Sequence, residues 1–104
     1  MHRRGTIPVV AVVVQTIING VDQATFDRLE AAIGAQIDLA GGPPPGLMAH
    51  IGHPVDDDLA LIEVFGSEDA FHAWWTTVAA PTLASLGLTS GAHDVRPVWS
   101  FARP

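Results

Sequence analysis

The stretch that decides the fold runs from Pro43 to Trp75 and reads PPPGLMAHIGHPVDDDLALIEVFGSEDAFHAWW. Its proline and glycine residues lead into an apolar strand predicted over Leu47–Val55, and three aspartates form a turn before a second strand, Leu59–Phe65. Ser67 then caps a helix that is predicted to reach about Val78. This order of elements brings histidines, a carboxylate and large aromatic side chains close together.

A strand and a helix are predicted before this stretch. Ile7–Ile18 is dominated by β-branched residues, which favours a strand. Asp22 is a plausible cap for a helix that runs to about Ile37, because apolar residues recur there at helical spacing. The same spacing places Glu30 largely on the opposite face of that helix.

The C-terminal third completes the order of elements. Pro81–Leu86 is predicted to form a short helix, and His93–Phe101 the last strand. Pro97 lacks the N–H that an inner strand needs, so this strand should lie at an edge. The order β-α-β-β-α-β over residues 1–104 predicts one α+β domain with a ferredoxin-like fold, a four-stranded antiparallel sheet with both helices on one face.

Both faces of the first strand are apolar, which predicts a homodimer. A strand that is apolar on both parities must be covered on both faces. The helices can cover one face, and a second copy of the chain would cover the other.

Composition excludes several classes of protein. The 104 residues carry a net charge of −6 and include no cysteine, so disulfides and thiolate chemistry are excluded. The five basic residues are scattered arginines, which gives no footprint for nucleic acid. The apolar run near the N-terminus is interrupted by Gln15 and is too short to cross a membrane. It also lacks a signal-peptide cleavage site, so we expect a cytoplasmic protein.

The chain resembles the antibiotic biosynthesis monooxygenase (ABM)-like domains of the dimeric α/β-barrel superfamily. The resemblance lies in the segment from Pro45 to His50 and in Ile62–Phe71, an apolar strand followed by a helix that starts in Glu-Asp-Ala-Phe. Phe65 stands where relatives commonly have tryptophan, and Gly66 where they have glutamate. Such relatives include cofactor-free monooxygenases of polycyclic aromatic polyketides, haem-degrading enzymes, isomerases and cyclases. The resemblance therefore implies the fold and dimerisation more strongly than one reaction.

His50, Glu63 and Gln15 are the candidate catalytic residues. His50 matches the histidine of the resembling proteins, and a neutral imidazole in an apolar pocket can act as a general base. The alternative is a buried histidine with a structural hydrogen bond. Glu63 is either the carboxylate that orients His50 or the partner of an arginine, since buried charges are normally paired. Gln15 could bind a carbonyl or an oxyanion, or form a hydrogen bond in a dimer interface.

A flat aromatic ligand is the expected small-molecule partner. Polar and aromatic side chains around the predicted pocket would contact it. These candidate substrate-binding residues are Asn19, Phe65, Phe71, Trp74, Trp75 and Trp99. Adjacent Trp74 and Trp75 are about 100° apart on a helix, so only one is expected to face the pocket.

The other histidines and the aspartates are assigned to structural positions. His53 has the opposite strand parity to His50, so the two should not share a pocket or a metal ion. His72 is expected to be exposed, and His93 to be part of a loop pair with Asp94. The aspartate triplet is predicted to be a solvated turn, and neither a metal nor an organic cofactor is expected.

Two classes of function are compatible with these residues. The first is an enzyme that acts on an aromatic, polyketide-like metabolite as a cofactor-independent monooxygenase, isomerase or cyclase. The second is a non-catalytic homodimer that binds an apolar small molecule or serves a stress-related role. Haem degradation is a weaker third possibility, because the arginines lie mostly near the termini. An enzyme should direct at least two of the polar candidates, Gln15, Asn19, His50 and Glu63, into one cavity. A cavity sealed by side chains, or a His50 that faces the dimer core with its nitrogens already bonded, would instead favour the non-catalytic alternative.

Overall fold

The computed structural model describes residues 10–102, and statements about the structure refer to that part of the chain. Four strands form one antiparallel sheet: β1 (Val12–Ile18), β2 (Leu47–Val55), β3 (Asp58–Phe65) and β4 (Asp94–Pro97). Their order across the sheet is β2-β3-β1-β4. This is the predicted ferredoxin-like α+β arrangement, and β4 is the predicted edge strand.

The helical segments cover one face of this sheet. They are α1 (Gln23–Ala40), α2 (Glu68–Trp74), a π-helical turn (Trp75–Ala79) and α3 (Ala80–Ser85). Buried residues of β1 alternate along the strand and pack against Leu29, Phe71 and Leu83 of the helices. Within residues 10–102, none of these helices has the length and apolar character that a membrane crossing needs.

Helix α1 starts as predicted and ends three residues later than predicted. The Asp22 carboxylate accepts a hydrogen bond from the backbone N–H of Thr25 at 2.8 Å. The helix continues past Ile37 until Gly41, whose φ of 89° lets it close the last turn through its N–H to the carbonyl of Asp38.

The second helical region differs from the predicted pair of separate helices. The backbone N–H of Ala80 bonds to the carbonyl of Trp75, five residues earlier, so the chain widens into a π-helical turn and continues into α3. Pro81 follows this turn at the start of α3 and does not end the helical run. Helical residues therefore run without a break from Glu68 to Ser85.

Two strands are shorter than predicted. The last strand covers Asp94–Pro97 rather than His93–Phe101. One further backbone hydrogen bond follows it, from the N–H of Val98 to the carbonyl of Ala11 at 2.8 Å. Strand β1 begins at Val12, whereas the predicted start at Ile7 lies outside the described residues.

The face of the sheet opposite the helices is called the open face. Alternation along β1 places Val13, Gln15 and Ile17 there, and all three are at least partly exposed. Gln15 is paired with Ile62 of β3, which in turn is paired with Ile51 of β2. Ile51 is 55% exposed, so this face presents large apolar side chains.

Gly46 fastens the proline-rich loop to the start of α2. Its φ is 84°, a conformation that favours glycine, and its carbonyl accepts a hydrogen bond from Gly66 at 2.8 Å. A Cβ at this position would lie 3.0 Å from the Cβ of Ala70. The close approach of loop and helix therefore depends on a residue without a side chain.

Candidate functional site

A row of polar side chains crosses the helix-covered face of the sheet. We call it the polar row, and its members are His50, Glu63, Thr16 and His93. Glu63 and Thr16 are buried on the face that otherwise carries the core residues of β3 and β1. Buried polar groups need partners, and both of these side chains bond to a histidine.

His50 and Glu63 form a carboxylate–imidazole pair. They lie opposite each other on β2 and β3, and the His50 Nδ1 is 3.1 Å from a carboxylate oxygen of Glu63. The Glu63 side chain is 5% exposed and that of His50 is 35% exposed. A carboxylate acceptor favours the tautomer whose proton is on Nδ1, so Nε2 of neutral His50 keeps a free lone pair.

The arginine alternative for Glu63 is not realised in the described part of the chain. Arg96 pairs there with Asp94, and Arg28 donates to the hydroxyl of Thr25. The buried carboxylate instead has a histidine partner that reaches the surface.

Glu30 is a member of this site that the sequence prediction placed on the wrong face of α1. Its carboxylate is 3.8 Å from Nε2 of His50. The apolar stripe of α1 includes Phe26 and Ile33, and residue 30 lies four positions after the first and three before the second. This spacing could have predicted the position of Glu30, because it places the residue beside the apolar stripe and not opposite it.

The surroundings of His50 raise its pKa above the ordinary value of 6.5. The hydrogen bond to Glu63 has the largest effect, burial opposes it, and the charges of Glu63 and Glu30 add to it. His50 is therefore a stronger base than a free imidazole and is also partly accessible.

His93 occupies the opposite end of the polar row and was predicted to be only part of a loop pair. Its Nδ1 is 2.8 Å from the hydroxyl oxygen of Thr16. The imidazole meets the rings of Trp75 and Phe71 edge to face, with centroids 4.3 and 5.0 Å away. Burial among these rings lowers the pKa of His93, and the nearby His72 lowers it further, whereas Glu63 opposes the shift. His72 itself is exposed, as predicted, and bonds to Glu68.

A small cavity lies between the His50–Glu63 pair and the helices. Its volume is about 30 Å³, which is enough for water but not for an aromatic molecule. Both Trp74 and Trp75 line it, contrary to the prediction that only one would. Trp75 stacks on Phe71 at a centroid distance of 6.1 Å, while Trp74 forms another part of the wall.

The structure does not bring the other polar candidates to this cavity. Gln15 lies exposed on the open face, which corrects the prediction that it faces the pocket. Gln15 lies on the face opposite Glu63 because it pairs with Ile62, the neighbour of Glu63 on β3, and successive residues of a strand point to opposite faces. Asn19 lies beyond the end of β1, where its amide donates to the hydroxyl of Thr89 at 3.0 Å.

Three of the aromatic candidates also lie away from the cavity. Trp99 follows β4 and is 95% exposed. Phe65 and Phe71 are fully buried and contact each other edge to face at 5.7 Å, so they are core residues beneath the site. Of the predicted aromatic residues, Trp74 and Trp75 are the two that line the cavity.

A larger cleft of about 480 Å³ lies at the other end of α1, next to the aspartate turn. His53 borders it and is separated from His50, as its strand parity predicted. Two of its carboxylates have structural roles, since Asp22 caps α1 and Asp58 accepts a hydrogen bond from Gly20. Within residues 10–102 no group of three or more acidic or histidine side chains is arranged to hold a metal ion.

Comparison with solved structures identifies proteins with the same fold at low sequence identity. The cofactor-independent oxygenase SnoaB from Streptomyces nogalater has a TM-score of 0.60 at 20% identity, over 92% of this chain and 96% of SnoaB. NE2512, a protein of unknown function from Nitrosomonas europaea, has a TM-score of 0.62 at 12% identity, over 93% of this chain and 98% of its own. The haem-degrading protein Rv3592 from Mycobacterium tuberculosis has a TM-score of 0.54 at 17% identity, over 91% and 99% of the two chains.

No protein-family model and no curated protein matches the sequence. Identities of this size establish a shared fold and leave the activity to be argued from the site. The resemblance predicted from the sequence is confirmed at the level of the fold, which the chain shares with SnoaB.

Proposed function

We propose that the protein is a cofactor-independent enzyme that removes a proton from an electron-rich aromatic substrate, with His50 as general base and Glu63 as the carboxylate that orients it. The observation that carries the proposal is the hydrogen bond between His50 and the buried Glu63. Two of the four polar candidates, His50 and Glu63, line one cavity, and this convergence supports an enzyme over a non-catalytic protein.

The proposed reaction is the conversion of an activated CH₂ group beside a phenolic ring into a ketone. Nε2 of His50 takes a proton from the phenol or enol, and the resulting carbanion transfers electrons to O₂. One oxygen atom enters the substrate as the carbonyl and the other leaves as water, so no external reductant is required. Glu63 is nearly fully buried, so the carboxylate that holds Nδ1 of His50 is shielded from solvent, while the imidazole remains partly accessible to a substrate.

Oxygenation is favoured over isomerisation or cyclisation by the similarity to SnoaB, which is itself a cofactor-independent oxygenase. The proton-transfer step is common to all three reactions. The comparison with SnoaB therefore supports oxygenation as the fate of the carbanion, whereas the geometry supports the assignment of the base.

We also propose that the protein is a homodimer that packs through the open face. Val13, Ile17 and Ile62 are partly exposed there, and Ile51 is more than half exposed. Contiguous apolar surface of this kind is costly in a monomer, and a second copy of the same sheet would cover it.

The test of the enzymatic proposal is oxygen uptake with a panel of tricyclic phenols that carry a benzylic CH₂ group. The wild-type protein should consume one O₂ per ketone formed, with one atom of ¹⁸O₂ in the product. His50→Gln should lose the activity, while the matched control His53→Gln, on the other strand parity, should retain it.

Equal rates in the two histidine variants would contradict the assignment of the base. Binding of the phenols without any turnover would favour the alternative, a non-catalytic protein that binds small ligands. Because Rv3592 degrades haem, haemin should be included in the panel, and a Soret shift that depends on His50 would favour that chemistry instead.

A further inference from the structure

The cavity beside His50 is too small for the proposed substrate, and the structure contains a second, larger cavity. About 30 Å³ beside His50 and Glu63 cannot hold the aromatic substrate on which the proposed function depends. A separate apolar groove of about 280 Å³ lies between the C-terminal half of α1, the proline-rich loop and α2. Trp74 lines both the small cavity and this groove.

We infer that the apolar groove is the substrate-binding site, and that movement of the Trp74 indole joins it to the His50–Glu63 pair. The inference rests on the proposed function and adds to it where the substrate binds and what separates it from the base. Joined, the two cavities reach the lower end of the range of about 300–1,000 Å³ that small-molecule sites occupy.

The lining of the groove defines the chemical class of the ligand. Ile37, Pro44, Pro45 and Val78 give it apolar walls, and small residues such as Ala73 leave the space open. Its polar side chains are those of Gln36 and Thr77, and neither is charged. The groove therefore fits a flat, uncharged ring system, while the acidic proton of that ligand would point past Trp74 toward the base.

Neither cavity is sufficient alone. The groove has room but no titratable side chain, and the small cavity has the base but no room. A ring system that entered the groove would remain on the far side of the Trp74 indole from His50. Displacement of one side chain is the shortest connection between them.

The backbone at Trp74 supports movement at this position. Trp74 is the last residue of α2, and the π-helical turn starts at the next residue. Single π-helical turns within an α-helix are rare and are frequently found at functional sites. Trp75 is held by Phe71 and His93. Trp74 is 8% exposed and packs with the core, and it is the residue that lines both cavities.

The experiment follows 1-naphthol, a flat ring system with a weakly acidic hydroxyl, and 1-methoxynaphthalene, which has the same rings without the acidic proton. NMR spectra of the full chain should show nuclear Overhauser contacts from both probes to the methyl group of Ala73. The naphthol should in addition contact the imidazole of His50 and shift the indole resonance of Trp74.

Two tryptophan substitutions provide the matched control. Ala73→Trp fills the groove and should weaken naphthol binding by about tenfold or more. Ala84→Trp adds the same side chain to an exposed position of α3 outside the groove and should leave binding unchanged. Thermal unfolding of both variants shows whether the fold is retained, and Ala40→Leu fills the groove by a smaller amount if the larger change is not tolerated.

Three outcomes would overturn the inference: no contact with Ala73, contact with Ala73 but none with His50, or contact with His50 that survives Ala73→Trp. The last would leave the proposed function intact and require another route to the base. Conversely, probes that contact both residues in a protein whose turnover is insensitive to His50→Gln would support the binding site and overturn the proposed function.

Discussion

The two faces of the sheet share the same strands but carry opposite chemistry. Two adjacent residue pairs of β2 and β3 show this. His50 and Glu63 face the helices, and the next pair, Ile51 and Ile62, lies on the open face. The polar pair is thus on the covered side and the apolar pair on the exposed side. At these positions the usual pattern is inverted, which is why we propose a catalytic role for the polar pair and an association role for the apolar pair.

Catalytic rate gives the largest expected contrast between the faces. Glu63→Gln keeps the shape of the side chain but removes the charge that orients and strengthens His50, and the rate should fall by about 10²-fold. Gln15→Ala, on the open face of the adjacent strand, should leave the rate near that of the wild type. Steady-state oxygen uptake measures both, and similar losses in the two variants would remove the distinction between the faces.

The second largest effect is expected on the free energy of unfolding, and it distinguishes two positions of the covered face, Glu63 and Thr16. Glu63→Ala leaves the Nδ1–H of His50 without its acceptor and should lower the free energy of unfolding by about 1–3 kcal/mol. Thr16→Val preserves the volume and removes one neutral hydrogen bond to His93, for which we expect about 0.5–1.5 kcal/mol. Denaturant unfolding measures both. A larger loss from the threonine variant would show that the His93 end of the polar row is the more important for the fold.

The third effect is expected on the dissociation constant of the proposed dimer, and it distinguishes the open face from the exposed end of α1. Ile51→Glu places a charge in the proposed dimer interface and should raise the dissociation constant of the dimer by about tenfold or more. Leu39→Glu introduces the same charge at a position that is 81% exposed at the end of α1, and should have no effect. Sedimentation at micromolar concentration distinguishes the two, and a wild-type monomer under these conditions would contradict the role of the open face.

The smallest expected effect is a difference in pKa between the two histidines at the ends of the polar row, His50 and His93. His50 should titrate above 6.5 and His93 below it, because Glu63 stabilises the first imidazolium and burial disfavours the second. His50 then contributes stability that is complete below pH 6.5 and is lost as the pH rises through its folded pKa. His93 contributes stability that is complete above pH 6.5 and is lost as the pH falls toward its folded pKa.

NMR titration of the imidazole resonances checks these directions. Glu63→Gln should lower the pKa of His50, since the largest cause of its elevation is removed. If both histidines titrated at 6.5, the polar row would be solvated and its two ends equivalent.

Local sequence signals predicted most of the fold. The aspartate cap at Asp22, the serine cap at Ser67 and the proline that marks the edge strand, Pro97, are each signals contained within a few residues. The opposite parities of His50 and His53 likewise follow from the two-residue period of a strand. Such features are local, and so they can be read without knowledge of tertiary contacts.

The site was less predictable because it depends on contacts between distant elements. His93 reaches Thr16 across 77 positions of sequence, and Glu30 of α1 lies near His50 of β2 only through the tertiary packing of these two elements. The error at Gln15 has a different origin. A polar residue in an apolar strand shows that the position is unusual, but its parity relative to Glu63 depends on the register between β1 and β3.

Gly46 restricts which positions of the proline-rich loop can vary in sequence among related proteins. The loop that it fastens to α2 also forms a wall of the apolar groove, so variation at Pro44 and Pro45 can reshape that wall. Gly46 itself has no such freedom, since any side chain would meet Ala70 and the backbone conformation favours glycine. Related sequences with different ligands should therefore vary at the prolines and keep the glycine.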